Sequence, residues 1–127
     1  MGETEQGWVD QAQYDLDTAR AMLASSRYLY VLFCCQQAVE KTLKAVIIRR
    51  TGEMPPRVHN LLRLAEIAQV QADQVQVRLL GELSAYYIQS RYPEEIKAAG
   101  ATIARAVADE ALKKTEQIIP WILSMIE

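Results

Sequence analysis

The residues of this chain that could do chemistry are few. It has a single histidine, His59, preceded by Pro55, Pro56, Arg57 and Val58. A second group lies in QQAVEKTLKA, from Gln36 to Ala45. At about 100° per residue, Gln36, Gln37, Glu40, Lys41 and Lys44 fall on one stripe of a helix. A third group, Arg91-Tyr92-Pro93, forms a corner after the run Ser84 to Ser90. Each group supports a bland reading and a sharper one. Lys41 and Lys44 either pair with Glu40 and other acids or meet an anion or polynucleotide. His59 is either a packed or capping residue at a helix start, or a ring beside a phosphate with Arg57 next to it. Arg91 and Tyr92 either lock a turn or offer a planar guanidinium to phosphate and a ring to a base.

Other chemistries are excluded or disfavoured. One histidine rules out a multi-histidine metal site, and the adjacent Cys34 and Cys35 cannot clamp one ion together, so no metal or cofactor is expected. The phosphate-cradling glycine loops are absent. Glu94-Glu95, the nearest approach to a carboxylate pair, reads as a solvated loop face. A net charge of -2 argues against a polybasic nucleic-acid binder, and no DNA-binding motif is present. The longest apolar run, Tyr28 to Cys35, falls far short of the ~20 residues that span a bilayer. The polar start MGETEQG carries no signal peptide, and the cysteines read as buried hydrophobes of a reducing cytoplasm.

The elements that must position these groups are helical throughout. The 127 residues suit one domain, half of them hydrophobic and 24% charged. Residues 1–7 read as a frayed leader. Trp8, Ala12, Leu16, Ala19, Met22 and Leu23 then give a first amphipathic helix, ended by Ser25 and Ser26. The second helix, about Tyr28 to Arg50, carries the polar stripe but is apolar over most of its remaining surface. It must therefore be buried, with its polar groups answered by partners, water or ligand. Gly52 is its expected stop. A short third helix is expected from about His59 to Ala68, and a fourth from an Asp73 N-cap to about Ser90. The last begins near Ala101 and is expected to continue through Pro120. No segment alternates with period two, so no strands are expected. The result is an all-α bundle of about five helices. The apolar tail Ile118 to Ile126 suggests a homodimer interface.

With those residues in place, the chain resembles HEPN-domain proteins of the small prokaryotic type. The resemblance rests on QQAVEKTLKA, on His59-Asn60-Leu61 after a Gly- and Pro-containing loop, and on SAYYIQSRYP from Ser84 to Pro93 followed by an Ala-rich final helix. It covers about Trp8 to Leu123. It implies an up-and-down four-helix bundle with an extra short helix, usually dimeric and often encoded beside a minimal nucleotidyltransferase. In some such toxin–antitoxin pairs the HEPN protein is a metal-independent ribonuclease whose activity depends on an Arg-x4-6-His motif. Here no histidine follows Arg91. The resemblance then points to a non-catalytic module that binds nucleotide or RNA phosphate or a transferase partner. The expected ligand residues are Gln37, Lys41, Lys44, Arg57, His59, Arg91 and Tyr92. A degenerate ribonuclease using His59 or a tyrosine, and a purely structural dimerising protein, are the alternatives.

Overall fold

In a computed structural model, residues 3–89 and 103–126 are described. They form five α-helices: α1 (Glu3–Ala24), α2 (Tyr28–Thr51), α3 (Leu61–Ile67), α4 (Gln74–Gln89) and α5 (Arg105–Leu123). A short 3-10 turn, Ser124–Ile126, closes the chain. No strand occurs among the described residues. The bundle is organised around α2, which touches each of the other helices among the described residues.

The physical cause is the composition of α2. Val31, Leu32, Cys35, Ala38, Val39, Leu43, Ala45 and Val46 point in several directions around it, and each is at most 1% exposed. Such a helix can only be satisfied by neighbours on most sides. α1 supplies Ala12, Leu16 and Ala19, α3 supplies Leu61 and Leu64, α4 supplies Leu80 and Leu83, and α5 supplies Ala108, Leu112 and Ile122. The tail residues Ile118, Ile119, Ile122 and Ile126 are covered within one chain, while Trp121, Leu123 and Met125 stay partly exposed.

The helix ends follow local rules. α1 stops at Ala24 because Ser26 takes a left-handed φ of 61° and Arg27 N–H closes on Met22 O at 2.8 Å. Gly52, with φ 72°, ends α2 and donates to Ile48 O. Asp73 caps α4 reciprocally with Gln76: Gln76 N–H donates to Asp73 Oδ1 at 2.8 Å and Asp73 N–H to Gln76 Oε1 at 2.9 Å. α5 runs through Pro120.

Two expectations need correction. Residues 3–7 are not a frayed leader but the first turns of α1, and Glu5 is only 4% exposed. The third helix starts at Leu61, not His59. Asn60 accepts Arg63 N–H at 3.1 Å and so occupies the N-cap, which leaves His59 outside the helix.

Candidate functional site

The stripe on α2 is not free. Glu40, 4% exposed, is its hub. Its Oε2 takes the Lys44 ammonium at 3.0 Å. Its Oε1 accepts from Gln36 Nε2 and lies 3.0 Å from His59 Nδ1. The acid-to-base spacing that would contribute only about 0.2–0.5 kcal/mol on an exposed helix is here enclosed, and Lys44 also lies over the Trp8 ring of α1, 5.4 Å from its centroid.

Gln36, fully buried, holds the histidine in place from the same helix. Its Nε2 also donates to His59 O at 3.0 Å, while its Oε1 accepts from Gln37 Nε2 at 2.6 Å. The next residues are fixed from α4: Leu61 N–H donates to Ser84 Oγ at 2.9 Å. The segment His59 to Leu61 is therefore pinned between α2 and α4, with α3 starting immediately after it.

These contacts set the chemistry of the ring. Glu40 pairs with Lys44 as a carboxylate and so only accepts, which makes His59 Nδ1 the donor. Nε2 is left on the opposite edge of the ring. The side chain is 45% exposed. One face is covered by Tyr87, with ring centroids 4.7 Å apart and planes 27° apart. Tyr87 in turn stacks on Phe33 of α2 at 5.8 Å and 15°. An imidazole held at one nitrogen by a buried ion pair, backed by a ring on one face and 45% exposed, can accept or donate a proton or a hydrogen bond at Nε2.

The expected site residues separate into groups. Gln37, Lys44 and His59 belong to one network. Lys41 faces the other way, toward α1, with its Nζ 2.7 Å from Asp15 Oδ2, off the angle of a hydrogen bond. Arg57 is exposed two residues before His59. Arg91 and Tyr92 lie outside the described residues. Glu40, Gln36, Ser84 and Tyr87 are not among the expected site residues, yet they build the site. The signal for Glu40 is its place on the stripe, four residues from both Gln36 and Lys44. Ser84 and Tyr87 give no local signal, since their roles depend on where the α3 entry crosses α4. No group of three or more metal-binding side chains occurs among the described residues. None of their helices is long and apolar enough to cross a membrane.

The comparisons agree with this architecture. The HEPN domain family model matches residues 5–125. The crystal structure of TT1696 from Thermus thermophilus superposes with a TM-score of 0.83 at 28% identity, covering 97% of this chain and 98% of that one. The crystal structure of ST0689, an archaeal HEPN homologue, superposes with a TM-score of 0.76 at 24% identity over the same shares of the two chains, a likeness of fold. A search of curated proteins gave no match.

Proposed function

The chain belongs to the HEPN domain family, and from that premise we propose that it is a binding module for nucleotide or RNA phosphate, with His59 at the centre of the site. The observation that carries this reading is the half-exposed imidazole fixed at Nδ1 by the Glu40–Lys44 pair. Because Lys44 is neutralised by Glu40, and Lys41 by Asp15, neither lysine is spare for an anion. The attraction falls to Arg57, exposed two residues upstream, and to the His59 ring edge. A planar guanidinium and a fixed ring nitrogen suit phosphate oxygens.

Calorimetric titration with a nucleotide panel and a short single-stranded RNA tests the reading. Binding weakened at least tenfold by His59→Ala, and to a smaller degree by Arg57→Ala, supports it. Absence of heat from every ligand, or equal affinity of wild type and His59→Ala, counts against it.

The same geometry supports a second reading, a metal-independent ribonuclease. A carboxylate at Nδ1 orients a histidine whose Nε2 can take the proton of an RNA 2′-hydroxyl as its oxygen attacks the adjacent phosphorus. The bond from phosphorus to the 5′-oxygen breaks, and the departing oxygen keeps the bonding pair and takes a proton from water, leaving a 2′,3′-cyclic phosphate and a 5′-hydroxyl. Incubation with structured RNA in chelator decides it: cleavage lost in both His59→Ala and Glu40→Gln supports catalysis, and intact RNA with wild type removes it.

A further inference from the structure

Phe33 from α2 and His59 from the α3 entry each stack on Tyr87 of α4. Phe33 and Tyr87 are partly buried, and His59 is the exposed ring of the three. Tyr87 covers only one face of the imidazole. Nδ1 is taken by Glu40 and the carbonyl by Gln36, so the ring cannot turn without breaking both the stack and a part-buried hydrogen bond. Its outer face is thus held at a fixed angle, already ordered before any ligand arrives.

Resting on the phosphate reading above, we infer that the ligand is recognised by its base as well: an unpaired nucleobase stacks on the face of His59 opposite Tyr87. The chemical class is a mononucleotide or a single-stranded RNA segment. A duplex, whose bases are already stacked, and a bare phosphate both lack what this face would recognise. Every base has a π-face, so the stack is tolerant of sequence, with the larger purines favoured. Arg57, two residues upstream, supplies the cation toward the phosphate.

Three ligands separate the two parts of this inference: adenosine 5′-monophosphate, ribose 5-phosphate and inorganic phosphate, titrated into the full chain by calorimetry. Stacking predicts that the nucleotide binds about five- to hundredfold tighter than ribose 5-phosphate. His59→Phe keeps a ring and is expected to keep that ratio while weakening all three ligands. His59→Leu keeps neither and brings the ratio to about one. Thermal melts of both variants establish that they are folded. Equal affinity of wild type for the nucleotide and ribose 5-phosphate overturns the stack and leaves phosphate binding standing. A ratio that survives in His59→Leu overturns it as well, because the base then lies elsewhere. No binding of any of the three overturns both readings.

Discussion

The polar stripe of α2 is answered differently on its two sides. Toward α1, Lys41 meets Asp15, and the two side chains are 19% and 18% exposed. Around Glu40 gather Gln36, Lys44, which also lies over Trp8 of α1, and His59 from the α3 entry, and only His59 reaches solvent substantially. The difference lies in what covers each side. α1 is a 22-residue helix running alongside α2 and closes that flank. The α3 side is covered first by a proline-containing connection, and Asn60 caps α3 one residue after His59, leaving the imidazole at the rim. Charged groups on a buried helix must find partners in either case. On one side the partners complete the fold, and on the other they present a ring.

The largest expected effect breaks the hub. Glu40→Ala leaves Lys44, a buried ammonium, without its carboxylate and removes acceptors from Gln36 and His59. Urea unfolding is expected to show a loss of about 3–5 kcal/mol, the range for removing one partner of a buried pair. Lys41→Met strands Asp15, whose Oδ2 is buried although its side chain as a whole is 18% exposed. Its cost falls between the surface and buried cases, about 1–2 kcal/mol. A larger loss from Lys41→Met than from Glu40→Ala would reverse the assignment of the two sides.

The cysteines of α2 report on its closed flanks, Cys34 beside Asp15 of α1 and Cys35 beside Thr115 of α5. Burial pushes the Cys34 thiol up to about 11, with Asp15 acting in the same direction and Lys41 against it. Burial pushes Cys35 up to about 12, opposed by a hydrogen bond with Thr115. The folded chain keeps the Cys35 proton where the unfolded chain, with an ordinary thiol near 9.0, loses it. The unfolded state therefore binds fewer protons, and stability falls with rising pH. The contribution of Cys35 is intact below about pH 9 and decays above it by about 1.4 kcal/mol per pH unit. The slope of unfolding free energy between pH 9 and 10.5 is expected to shrink by that amount in Cys35→Ala. An unchanged slope would mean that the thiol is reached by water.

How much of this is legible in the sequence follows the range of the interactions. The burial of α2, the Gly52 stop and the Asp73 cap depend on residues within a few positions of one another, and all three can be read directly. The start of α3 is also a local matter, since Asn60 is a better N-cap than His59, but the rarer residue masks it. Glu3 to Gly7 looks like a polar leader because burial of Glu5 depends on packing against other elements. The stripe's membership is visible; its pairings are not. Lys41 and Lys44 are three residues apart on one helix, yet Lys41 meets Asp15 of α1 while Lys44 pairs with Glu40 of α2 itself and lies over Trp8 of α1. The contact of Glu40 with His59 spans 19 positions across a loop whose path no local pattern dictates.

The smallest expected effect on stability is also the one that decides whether the open side is open. His59→Ala removes one donor from Glu40, which keeps Lys44 and Gln36, and it uncovers one face of Tyr87. Gln36 still holds the backbone carbonyl at position 59, and Ser84 still holds Leu61 N–H. Nothing buried is left without a partner, so the loss in urea unfolding is expected to stay below about 1 kcal/mol. The same variant is expected to lose ligand heat in the titrations above. If His59→Ala instead costs as much as Glu40→Ala, the ring is a strut of the core. The α3 side would then be as closed as the α1 side, and the stripe would serve the fold alone.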